Sequence, residues 1–150
     1  ERRSTLERSA IALAVSHASS TDIEELSLCM DRLSRAMATR ENLGDTDASF
    51  HKKLFEISHN RFLREVFDVV FDGLEVLWKS PLGLDTFGDA GLPLHRDLYE
   101  AIRERNLDVA LEIYDRIINL DRKDIMDLTG YKPKSQNLQH SITGVKKDGD

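Results

Sequence analysis

Residues 61–78, RFLREVFDVVFDGLEVLW, set the strongest constraint on how this chain folds. Phe62, Leu63, Val66, Phe67, Val70, Phe71, Leu74, Leu77 and Trp78 spread over more than one side of a helix. A helix that is apolar on several faces needs covering elements, and the pattern predicts a central place for it in a core. The neighbouring segments supply the cover. Leu6, Ala10, Leu13 and Ala14 recur at helical period up to His17, after a capping-box pair Ser4 and Glu7. A second capping-box spacing, Thr21 with Glu24, opens a stripe of Ile23, Leu26, Met30, Leu33 and Met37.

The remaining helices are bounded by local signals. RENLGD is a linker, and a third helix is expected from Asp45 or Thr46 to Ser58. Asn60 is a break or an N-cap before the apolar helix. SPLGLDTFGDAG, with a proline and three glycines, reads as a long loop. Pro93 suits the first turn of a fifth helix that turns Leu94, Leu98 and Ile102 inward. Asn106 caps a sixth, whose Val109, Ala110, Ile113, Ile117, Leu120 and Leu128 are expected to face the core. No segment alternates like a strand. The fold expected is an all-α antiparallel bundle of about six to seven helices over residues 1–129, followed by a polar tail, residues 130–150.

Composition narrows the function. Among 150 residues the formal net charge is −6, and Lys and Arg form no basic stripe, so this segment is a poor binder of nucleic acid by itself. No apolar run approaches the ~18 residues of a membrane span, and the opening ERRSTLERS is no signal peptide. The single cysteine, Cys29, excludes an internal disulfide and fits a cytoplasmic location. The chain lacks an initiator Met, which reads as a fragment of a longer protein.

One stretch, DASFHKKLFEISHN at residues 47–60, breaks the apolar pattern. Asp47 and His51 lie one turn apart and leave the same helix face, beside Phe50, Leu54 and Ile57. His95 likewise adjoins the inward Leu94. Carboxylate and imidazole together are ligands for divalent first-row metals. The same spacing also serves a plain hydrogen-bonded pair or a solvated helix edge. His17, at a helix end, His59, at a helix break, and His140, in the tail, have structural readings. No Gly-rich phosphate loop, HExxH, CxxC or GxSxG is present, and Cys29 reads as core or boundary.

The order of four stretches resembles the FCD domain, the C-terminal effector-binding module of GntR-family transcription regulators in the FadR-like branch. ERRSTLERSAIALA is similar to the family's ExRxxLExxAxxLA, DASFHKKLFEISHNRFL to DxxFHxxLxxxxxNxxL, and LHRDLYEAIRERNLDVA to EHxxIxxAIxxxDxxxA. The apolar helix ending in Trp78 agrees in spacing. The resemblance implies a ligand-sensing and dimerising bundle, not an enzyme. A winged helix-turn-helix would precede Glu1 and make the DNA contact, and the effector would be a small carboxylate.

Many family members hold one divalent metal ion, Zn-, Ni- or Mn-like, with one Asp and three His. Asp47, His51 and His95 match the first three ligands. The fourth position is Ile117, a departure that leaves a three-ligand site and predicts partial metal occupancy at most. Tyr114 and Asp121 lie one turn away on that face. Arg3 and Asn60 also fall on family positions, Arg3 as a partner for an effector carboxylate and Asn60 as a ligand contact or a cap. Two rival readings stand beside this one: a small metal-dependent helical enzyme using Asp47, His51 and His95 to activate water, and a helical interaction domain without a ligand.

Overall fold

The computed structural model describes the backbone of residues 2–82 and 90–130, with the side chains of residues 4–71, 90–127 and 130. Among the described residues six α-helices run in the order α1 (Arg2–His17), α2 (Ser20–Thr39), α3 (Leu43–Ile57), α4 (Arg61–Leu82), α5 (His95–Arg103) and α6 (Leu107–Thr129), with a 3₁₀ turn at Leu92–Leu94. No strand occurs among the described residues, so the all-α bundle is borne out. The roles expected for Arg3, Leu74, Leu77, Trp78 and Leu128, the middle of the glycine-rich loop, and the tail with His140 lie outside the described residues.

The helix ends show which local signals act. Ser4 is already inside α1, so it is not the cap that its spacing with Glu7 suggested. The box that caps α2 is Ser19 with Asp22, not Thr21 with Glu24: the Asp22 N–H donates to Ser19 Oγ at 3.1 Å, and the Ser19 N–H donates to Asp22 Oδ2 at 2.7 Å. Both pairs share one spacing, and the chain takes the box that lies nearer the break at Ala18. Two residues in the left-handed region, Arg40 and Asn42, make the sharp reversal between α2 and α3, which starts earlier than expected, at Leu43. Asn60 caps α4, its Oδ1 accepting the Leu63 N–H at 3.1 Å. Asn106 caps α6 through the Val109 N–H at 3.2 Å. Pro93 sits in the 3₁₀ turn, and α5 begins at His95 itself.

Two apolar clusters hold the helices together. The larger joins α1, α2, α3, α5 and α6 through Ile11, Leu26, Leu33, Phe50, Leu54, Leu98, Ile102 and Ile117 among others. The smaller packs Leu63, Phe67 and Phe71 of α4 on Phe55 of α3 and Ala10 of α1. The apolar pattern of α4 therefore misplaces it. The inner position belongs to α3, which packs on α1, α2 and α4, while α4 leaves Phe62 67% and Val69 76% exposed. Val109, expected inside, is also exposed, because Ala110 and Ile113 turn the core face of α6 away from it.

Helix α1 is fastened to the end of the bundle by polar contacts. Arg8 pairs with Asp115 of α6. Arg105, at φ 62° in the α5–α6 turn, donates to the carbonyls of Ala14 at 3.2 Å and Val15 at 2.9 Å, and to that of Ala18. These carbonyls lie in the last turn of α1 and just beyond it, where backbone acceptors run short of partners within the helix.

Candidate metal centre

Asp47 and His51 leave α3 one turn apart, and α5 delivers His95 from its first residue. Their polar atoms meet. His51 Nε2 lies 3.1 Å from His95 Nε2 and 3.5 Å from Asp47 Oδ1. His95 Nε2 lies 3.1 Å from the same oxygen. Both imidazoles are buried, and the Asp47 side chain keeps 17% of its surface exposed. Phe50 meets both rings edge-on, and Phe71 covers His51 at a centroid distance of 5.9 Å.

The outer nitrogens decide which atoms face inward. His95 Nδ1 lies 3.1 Å from the Gly91 carbonyl and 3.2 Å from that of Leu92, so Nδ1 carries a proton and donates. The Nε2 lone pair then points at the cluster. His51 Nδ1 faces Glu7 Oε1 at 3.1 Å, a close charge contact rather than an aligned hydrogen bond. It too places the second nitrogen, Nε2, inward. The second oxygen of Glu7 takes the hydroxyl of Tyr114 on α6.

Two Nε2 atoms and a carboxylate oxygen therefore converge within 3.5 Å of one another. Asp47 Oδ1 is buried and has no aligned hydrogen bond, which is costly unless a cation shares the space. A proton or a metal ion satisfies all three atoms, and their types suit a borderline divalent ion. The backing of each His by a carbonyl or a carboxylate is the outer shell that metal-bound imidazoles carry. The residues thus fit a divalent cation.

The field of the cluster acts in the same sense. Burial alone would lower the basicity of His51, but Glu7 first and Asp47 second reverse this and push its pKa up to about 10. Burial would raise the Asp47 carboxyl, yet the charge of His51 and the nearness of both rings hold it well below the usual carboxylate range.

A close approach sets the place of His95. A Cβ built on Gly91 would stand 2.7 Å from Asp121 Oδ1, 2.9 Å from Ile117 Cγ2 and 3.2 Å from the Ile117 carbonyl. Only glycine lets this turn lie so near α6, and the Asp124 carboxylate accepts the neighbouring Ala90 N–H at 3.0 Å.

A family model for the FCD domain matches residues 1–120. The chain belongs to the FCD family. Among solved structures the FCD chain is similar to E. coli McbR/YncC, with a TM-score of 0.63, 20% sequence identity, and coverage of 84% of this chain and 63% of that one. At that identity the likeness is one of fold, and the chain spans 63% of the length of the structure it matches. No curated protein matches the sequence of this FCD domain.

Of the positions drawn from the family pattern, Asp47, His51 and His95 come together. Asn60 does not join them. It is exposed and caps α4, because its side chain serves the nearest unpaired amide of that helix. Ile117 is buried in the apolar core against Gly91, and Asp121 adjoins the same glycine. Glu7 is the member that sequence reasoning read only as a capping residue, and Tyr114, placed there one turn from Ile117, joins it; each is almost wholly buried. Glu7 lies three and four residues before Ala10 and Ile11, and Tyr114 lies four after Ala110 and three before Ile117. That register with buried positions was the available signal.

Proposed function

We propose that this FCD domain is the effector-sensing and dimerising half of a GntR-type regulator, and that Asp47, His51 and His95 hold one divalent cation, Zn-, Ni- or Mn-like, beside a small carboxylate effector. The observation that carries this reading is the convergence of His51 Nε2, His95 Nε2 and Asp47 Oδ1 within 3.5 Å of one another. A cation with three protein ligands keeps open coordination positions, and an effector carboxylate is a suitable oxygen donor for them. When bound, the ion supplies positive charge that holds an anion inside the bundle. The chain's own residues orient that charge and shield it with Phe50 and Phe71.

An effector changes DNA binding by an attached winged helix-turn-helix only if it favours one dimer geometry over another. The exposed apolar Phe62 and Val69, seven residues apart on one face of α4, support a helix-to-helix dimer contact.

Elemental analysis of the chain after exposure to Zn²⁺, joined to thermal shifts with a panel of small carboxylates, tests the reading. About one ion per chain is expected, absent in a His51→Ala, His95→Ala double variant, with carboxylates raising Tm in the metal-loaded form only. An ion retained by the double variant would place the site elsewhere and sink the proposal.

A further inference from the structure

We propose that Glu7 is the outer carboxylate of this centre: it holds the Nδ1–H of His51, keeps the His51 Nε2 lone pair facing the ligand cluster, and is itself oriented by Tyr114. The inference rests on the metal reading above and deepens it.

The geometry makes Glu7 costly without such a task. Its side chain is 1% exposed. A buried carboxylate loses its hydration, and the loss is recovered only through partners placed on its oxygens. Here each oxygen has one. Oε1 stands 3.1 Å from His51 Nδ1, and Oε2 takes the Tyr114 hydroxyl. The arrangement runs from α6 through α1 to α3, so three helices fix one imidazole. His95 is held differently, by the carbonyls of Gly91 and Leu92. The two rings thus have unequal supports, one charged and one neutral.

Charge balance points the same way. Imidazoles bind a metal as neutral ligands, so Glu7 and Asp47 are the two anionic groups beside the cluster. A divalent cation at the cluster brings the group to neutrality, although the family's fourth histidine is replaced by Ile117. A neutral assembly is what a largely buried site tolerates best. Glu7 also raises the electron density that His51 Nε2 offers to a metal, as outer carboxylates do.

The rival account makes Glu7 a structural link between helices and nothing more. Three single variants of the chain separate the two, using Co²⁺ alone as the probe, with affinity and visible absorption spectrum as readouts. Glu7→Gln keeps the shape but removes the charge that faces His51 Nδ1. It should weaken Co²⁺ binding about 10- to 100-fold and alter the spectrum. Tyr114→Phe should give a smaller loss in the same direction. Asp115→Asn breaks the exposed Arg8 contact at the same α1–α6 junction without touching His51, and should leave Co²⁺ binding unchanged.

Equal affinity in Glu7→Gln and wild type overturns the role of Glu7 alone. So does an equal loss in Asp115→Asn, since the seating of α1 would then explain both. A wild-type chain that takes up no Co²⁺ overturns the metal reading and this inference together.

Discussion

His51 Nε2 stands 3.1 Å from His95 Nε2, although the residues are 44 positions apart. Two imidazole lone pairs do not rest at that distance unless something positive lies between them. In the metal-free chain that charge is a proton on His51, whose pKa Glu7 and Asp47, against the effect of burial, push up to about 10. Metal and proton therefore compete for one place. At pH 7 each divalent ion that binds should release about one proton, and affinity should rise with pH. Calorimetry in buffers of different ionisation enthalpy measures the count; no proton release would contradict this assignment.

The same group fixes how the metal-free domain responds to alkali. The folded value of His51, about 10, lies above its ordinary 6.5. Its contribution to stability is complete below 6.5 and is lost as pH rises through about 10. Asp47 acts in the other direction: its depressed value contributes above the ordinary 3.8 and fades in acid. The Tm of the metal-free chain should fall between pH 7 and 10, and His51→Gln should flatten that slope.

Ile117, which the family pattern aligns with a fourth ligand, is buried beside the Gly91 turn. Ile117→His should raise Zn²⁺ affinity by about tenfold or more, since even outer partners contribute that much. Competition with a chelating dye gives the number. An unchanged affinity would mean that α6 no longer aims this position at the centre.

Gly91→Ala forces a methyl group against Ile117 and Asp121. Overpacking of this kind costs about 1–3 kcal/mol, read by urea denaturation. It also moves the carbonyl that orients His95, so Zn²⁺ affinity should fall in parallel. A stability loss with intact affinity would separate the turn from the site.

Dimerisation through α4 predicts a mass near twice 17.1 kDa in sedimentation at micromolar concentration. Val69→Glu, or Phe62→Glu, should shift the chain toward monomer while leaving its helical circular dichroism intact. A wild type that stays monomeric at high concentration would remove the dimer from the proposal.

The periodicity of the sequence carried the helices and most of their inward faces, because apolar burial at a period of 3.6 leaves a direct trace. Asp47 and His51 were legible as a pair because one helix fixes their spacing. Their meeting with His95 was not, since no local rule sets how α3 and α5 pack; there the family pattern supplied the match. Glu7 lies inside ERRSTLERSAIALA but reads there as a capping residue, and only the burial of its side chain shows otherwise. The place of α4 was misread because Phe62 looks like core in sequence and is exposed in the structure. The Ser19 cap was hidden by Thr21, an equally good residue at a competing register.

Arg105 closes the bundle into a loop. Its hydrogen bonds reach carbonyls 87, 90 and 91 residues back in the chain. The chain must be synthesised through Arg105 and collapsed before the last turn of α1 finds these donors, so this clasp belongs to the late stage of folding. Once made, it ties the fraying of α1 to the opening of the α5–α6 hairpin. Amide exchange at the end of the first helix should then follow the hairpin's cooperative opening rather than the rapid local unwinding usual at a helix terminus.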